Sequence, residues 1–242
     1  MSGAWKAKRF WKEASVVPEA EGFGVRLDGR EVKTPAKRAL IMPTEAMAQV
    51  VAEEWDAQEE EIKPHLMPAT KTANAAIDKV AIQHGEVADM LADYGDSDLL
   101  CYRAPQPDAL IARQATLWDP MLDWAAEALE ARLIPRVGVM HAPQDPTALE
   151  ALRRRTHALS PFELAAFHDL VSLSGSLILG FATALNRASA DEIWTLSRLD
   201  EIWQAEQWGA DDQAEELAAL KKESFLHASR MFTLCRAVDP LD

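Results

Sequence analysis

The first forty residues alternate between apolar and polar. Phe23, Val25 and Leu27 occupy every second position, Asp28-Gly29 follows, and Val32 lies within Arg30–Thr34. Alternation gives a strand one apolar face. Asp-Gly between two such runs marks a tight hairpin, because both turn positions need positive φ. Ser15–Val17 and Ala39–Met42 are the expected partner strands. From Pro43 the period becomes helical: Thr44 is a capping residue, Glu45 suits the positive end of the helix dipole, and Met47, Val50, Val51 and Trp55 recur at helical spacing. Pro64 and Pro68 close that element. Further helices are predicted over about 70–94, 107–131, 146–158, 161–186, 190–208 and 211–236. Breaks fall at Gly95-Asp96, Pro105, Pro107, residues 135–146, Ser160-Pro161 and Gly209, and short strands are predicted at Leu99–Tyr102 and Val137–Met140.

The pattern predicts an α+β chain: residues 1–66 as a small antiparallel, β-rich N-terminal domain with a first helix, and residues 67–242 as a larger multi-helical C-terminal domain. In the first of these Asp28, Gly29 and Trp55 are read as structural, Trp55 sharing a helix face with Met47 and Val51. The acidic run Glu53, Glu54, Asp56, Glu59, Glu60 and Glu61 around Trp55 reads as a solvated face, with a basic partner surface as the alternative.

Charge narrows the partners. The chain has 242 residues, 39 acidic and 25 basic, for a net charge of −14, yet residues 1–43 carry +4. An acidic body is repelled by nucleic acid and by anionic membranes, so neither is expected as a partner. Cys101 and Cys235 lie far apart with no CxxC pair, which fits a reducing compartment. Met1–Arg9 lacks an apolar segment, so no leader is expected. The most apolar run, Leu170–Leu185, is too short to span a bilayer and is interrupted by Ser172, Ser174, Gly175, Ser176 and Gly180. The expectation is a cytoplasmic monomer with no membrane insertion.

Catalytic signals are sparse. The six histidines, His65, His84, His141, His157, His168 and His227, form no metal-ligand spacing, and no phosphate loop, GxSxG or GxGxxG occurs, so neither metal nor cofactor is expected. Cys101 sits among Leu99, Leu100 and Tyr102, surroundings of an inert thiol. An enzyme reading rests on one polar cluster, Thr70, Lys71 and Asn74 with Asp96 and Asp98. Hydrogen bonding at a helix start is the plainer account of the first three.

The 191–208 stretch is different. Ile193, Leu196, Leu199 and Trp203 make an ordinary core stripe, while Trp194, Glu201 and Trp208 fall seven apart, on nearly one side of a continuous helix. Arg198 and Gln204 lie between them. A carboxylate flanked by two indoles suits a partner-binding surface. The alternative is that both indoles pack on neighbouring helices while Glu201 pairs with Arg198.

Taken in order, Arg9-Phe10-Trp11, Leu27-Asp28-Gly29-Arg30 with Lys33-Thr34-Pro35, Glu53-Glu54-Trp55-Asp56, Met67-Pro68 with Thr70 and Asn74, Asp96–Arg103, Gln114 with Trp118-Asp119-Pro120, and Leu196-Ser197-Arg198-Leu199 leading to Gln204 and Trp208-Gly209 resemble one family. It is that of the assembly chaperones that bind the α subunit of the F-type ATP synthase catalytic head. The resemblance runs from about Arg9 to Phe232. It implies a non-enzymatic chaperone that masks the assembly interface of the unassembled α subunit until the β subunit replaces it, in the bacterial cytoplasm for this chain and in the mitochondrial matrix for eukaryotic relatives. It also implies a functional acidic residue in the helix ending in Trp-Gly. Glu201 is the matching choice and Glu206 the neighbouring alternative.

Overall fold

Asp28 and Gly29 form the expected turn, at φ of 47° and 78°. Around them lie β1 (Ala14–Glu19), β2 (Gly22–Leu27), β3 (Arg30–Glu31) and β4 (Ile41–Met42). The computed structural model describes residues 8–236, so most of the Met1–Arg9 stretch read above for a leader lies outside the described residues. The sheet is antiparallel, with β2 pairing β1, β3 and β4. The Asp28 carboxylate closes the hairpin by accepting from the backbone N–H groups of Lys12 and Glu13 at 3.0 Å each. Those two donors hold its carboxyl below the ordinary carboxylate range.

The chain divides into two compact units. Among the described residues the first comprises 8–83, 160–165 and 230–236, and the second 84–159 and 166–229. In the first, α1 (Glu45–Asp56) starts at Thr44, whose hydroxyl accepts from the Met47 N–H. It buries Met47, Ala48, Val51 and Ala52 against the apolar side of the sheet, where Val25, Leu27 and Met42 are also buried. Next come α2 (Pro68–Ala75) and a π-turn at Ala76–Val80.

The second unit is helical. It holds α3 (His84–Ala92), α4 (Asp108–Ala128), α5 (Pro146–His157), α7 (Leu177–Ala184), α8 (Ala190–Ser197), α9 (Leu199–Trp208), and the larger parts of α6 (Pro161–Ser174) and α10 (Asp212–Leu234). A two-residue parallel pair, β5 (Tyr102–Arg103) with β6 (Arg136–Val137), stands near the two predicted short strands. Every residue of α7 is buried. Its start is organised by Asp98, which is fully buried and accepts from Ser176 Oγ (2.7 Å), the Ile178 N–H (3.0 Å) and the Leu100 N–H (3.0 Å).

Three predicted helices are split. The 70–94 stretch breaks after the π-turn. The 161–186 stretch breaks at Gly175, whose φ of 72° suits glycine. The 190–208 stretch breaks at Arg198, which leaves helical geometry with φ −106° and ψ 14°.

Candidate functional site

The break at Arg198 decides what the surrounding residues can do. In an unbroken helix the Leu196 carbonyl would accept from the N–H four residues on. Here it accepts from the Arg198 N–H and from the indole N–H of Trp118 on α4, the latter at 2.9 Å. The Ser197 hydroxyl bonds back to the Trp194 carbonyl (2.7 Å), consuming another C-terminal acceptor of α8. The other end of α8 is fixed by a capping box of Ser189 and Glu192. α9 therefore takes its bearing from α4. The buried amide of Gln114, also on α4, donates to Asp200 (2.8 Å) and accepts from the Ala104 N–H (2.9 Å). Arg103 lies over the Trp118 ring, 5.3 Å from its centroid, and pairs with Asp119 at 2.8 Å.

On this frame two similar triples form. In the first, Trp194 is buried at 6% exposure and packs 5.6 Å from Phe225. The Arg198 guanidinium covers its ring at 5.7 Å and pairs with Glu201 at 2.8 Å. In the second, Arg113 sits 5.8 Å from the Trp203 ring and grips both oxygens of Glu206. That fork holds Glu206 below the ordinary carboxylate range and raises Arg113. The two acids differ in what remains available. Glu201 meets Arg198 through one oxygen, its side chain is half exposed, and among the described residues nothing engages the other oxygen.

The structure thus brings Trp194, Arg198 and Glu201 together, and leaves Gln204 and Trp208 exposed along α9, Trp208 at 79%. The seven-residue line through Trp194, Glu201 and Trp208 presumes a continuous helix, and the turn at Arg198 sends Trp194 inward. Beside α9, an apolar groove of about 550 Å³ is lined by Leu117, Pro120 and Met121 from α4 and by Leu196, Leu199 and Ile202, with Arg113 also on its wall. Sequence reasoning gave no site role to Arg113, Gln114, Trp118, Asp200 or Trp203. The available signals are that Gln114 and Trp118 stand among the residues that carry the family resemblance and are four apart on a single helix face.

Thr70, Asp96 and Asp98 of the enzyme reading serve structural partners. Glu54 on α1 accepts from the N–H groups of Ala69 (2.6 Å) and Thr70 (2.7 Å) and from the Thr70 hydroxyl (2.7 Å). It thereby caps α2, which lacks a side-chain cap of its own. Lys71 is exposed, and the buried Asn74 Oδ1 has no partner among the described residues. Asp96 accepts from the Gln144 N–H at 2.7 Å and meets His141 at 2.9 Å, and Asp98 holds the start of α7. Burial pushes the Cys101 thiol up to about 12, so it is no ready nucleophile. Among the described residues no group of three or more His, Cys, Asp and Glu is placed to hold a metal ion. No helix there is long and apolar enough to cross a membrane.

Comparison with known proteins adds the following. The model of the family described as ATP12 chaperone protein matches residues 8–126. The chain is 24% identical over 240 residues to the protein atp12, mitochondrial, of Schizosaccharomyces pombe, covering 94% of this chain and 82% of that one. The crystal structure of Atp12 from Paracoccus denitrificans is similar at a TM-score of 0.93 and 49% identity, covering 96% of this chain and all of that one. An aspartate-to-lysine mutant of Atp12p from the same organism is similar at 0.94 and 48%, covering 97% and 100%.

Proposed function

We propose that this chain, which belongs to the ATP12 chaperone family, binds the unassembled α subunit of the F-type ATP synthase catalytic head and masks its assembly interface until the β subunit replaces it. Family membership supports the chaperone part of this reading, and the resemblance in the sequence supplies the client. One structural observation carries the choice of surface: on α9, Glu201 offers a half-exposed carboxylate with one oxygen unengaged, held at a fixed place by Arg198 over a buried Trp194. A binding surface needs a rigid support under an accessible anchor, and this arrangement supplies both. Gln204 and Trp208 extend it along α9, and the neighbouring groove offers apolar area.

An interface awaiting assembly is a large apolar patch and aggregates when bare. Covering it needs neither nucleotide nor metal, so the protein acts as a binding partner and not as an enzyme. Both cysteines are free and buried, which suits a monomer working in a reducing cytoplasm.

The test is light scattering of freshly diluted ATP synthase α subunit with and without this protein, with size-exclusion chromatography to detect the complex. Suppressed scattering and a co-eluting complex are expected without added nucleotide. Glu201→Lys should keep the wild-type melting temperature and lose protection. A Glu201→Lys variant that protects fully would remove Glu201 from the surface, and a wild-type protein that forms no complex would overturn the client.

A further inference from the structure

α10 is two helices in energetic terms. Its later part buries Phe225 and Ala228 completely or nearly so, then Met231 and Phe232. Its first nine residues, 212–220, are exposed except for Ala218, which is half-buried. So short a helix is marginal in water by itself. It persists here because the buried part supplies the nucleus and each added residue costs only propagation, which Ala, Glu and Leu favour. Asp211 caps it by accepting from the Ala214 N–H at 2.9 Å, and Asp212 and Glu215 suit the first turn.

Capping explains those acids but not the leucines. Leu217 and Leu220, three apart and so on one side of the helix, stand 53% and 62% exposed. The charge leading up to them is also one-sided, before Lys221 and Lys222 follow. From Leu199 to Leu220 there are seven Asp or Glu and no Lys or Arg. Glu201 and Glu206 have their arginines and Asp200 its glutamine, whereas Asp211, Asp212, Glu215 and Glu216 pair with no cation among the described residues.

We propose that the free first half of α10 is a docking helix, inserting Leu217 and Leu220 into an apolar groove of the client whose rim carries Lys and Arg. Resting on the chaperone reading above, the inference adds a second contact element to α9 and specifies the client's complementary chemistry. It is the helix-in-groove mode of recognition, with the acidic flank steering the approach. A helix already formed before contact loses little conformational entropy on docking.

The experiment uses the full chain and purified ATP synthase α subunit. Leu217→Gln with Leu220→Gln should leave circular dichroism and melting unchanged, since both side chains are exposed and glutamine favours helix. It should weaken the complex by roughly tenfold or more. Neutralising Asp211, Asp212, Glu215 and Glu216 to Asn and Gln should slow association and flatten its dependence on salt. Wild-type binding with unchanged affinity in the double-leucine variant would overturn the docking helix while leaving the chaperone reading intact. Absence of wild-type binding would overturn both. A wild-type dimer in sedimentation that the leucine changes dissolve would show that a second copy of this chain is the occupant, and would overturn the client groove.

Discussion

Two regions of this protein place tryptophans among charged residues, and they use the charges in opposite ways. In the first unit Trp11 is buried at 3% exposure with its ring 5.4 Å from that of Trp55. The surrounding charges turn toward the backbone. Arg9 donates to the carbonyls of Trp11, Lys12, Asp56 and Gln58 and to the Asp56 carboxylate. It supplies at the end of α1 the cation that α1 itself lacks. Glu54 caps α2. In the second unit Arg198 and Arg113 cover tryptophans and point their partner carboxylates outward. Composition around the indoles is similar; what differs is whether the charge meets a backbone group or another side chain. Charges fixed to backbone close a region, and charges held by side chains leave it open to a partner.

The strongest way to break the comparison is to attack the closed region. Trp11→Ala should cost about 3–5 kcal/mol in urea unfolding. Trp55→Arg should likewise lower melting, since it removes the half-buried ring that packs on Trp11; unchanged melting with lost client binding would move Trp55 to the interface. Glu54→Ala, which leaves two N–H groups and a hydroxyl without their acceptor, should cost about 1–3 kcal/mol.

A pH titration sharpens the same distinction within the second unit, where Asp98 is its own closed element. Burial pushes its carboxyl up to about 6 from 3.8, despite its hydrogen bonds. A folded-state value above the unfolded one contributes stability that is complete below about 3.8 and lost as pH rises through 6. This group should therefore make the protein more stable at pH 5 than at pH 7.5, by on the order of 1 kcal/mol. Asp98→Asn should flatten that slope, and an unchanged slope would assign it to other groups. The smallest stability effect belongs to the open region: Glu201→Lys should change the unfolding free energy by less than about 0.5 kcal/mol. A loss comparable to that of Glu54→Ala would mean that the two regions do not differ in kind.

How much of this was legible follows from how far each cause lies along the chain. The Asp28-Gly29 hairpin and the Thr44 cap depend on neighbours within a few residues, and both stand where the pattern puts them. The α+β class, sheet first and helices after, follows from the same local periods. The break at Arg198 depends on Trp118, seventy-eight residues from the carbonyl it captures, and no local pattern announces it. A continuous helix puts Trp194 on an outward line; the turn abolishes that line, and Trp194 packs on Phe225 of a neighbouring helix, as the alternative reading has it. Glu54 is similar: in the sequence it belongs to an acidic run, and only the position of α2, fifteen residues on, turns it inward. The roles of Arg113 and Gln114 exist only once α4 meets α9.

The half-free α10 also makes the protein its own reporter. Backbone amides over 212–220 open by local fraying, whereas those near Phe225 exchange only through larger unfolding. Hydrogen–deuterium exchange should thus show one helix with two rates, fast at its beginning and slow toward Phe225. Any molecule seated on the exposed turns will pull the fast rate toward the slow one, so occupancy can be read from the unlabelled chain peptide by peptide.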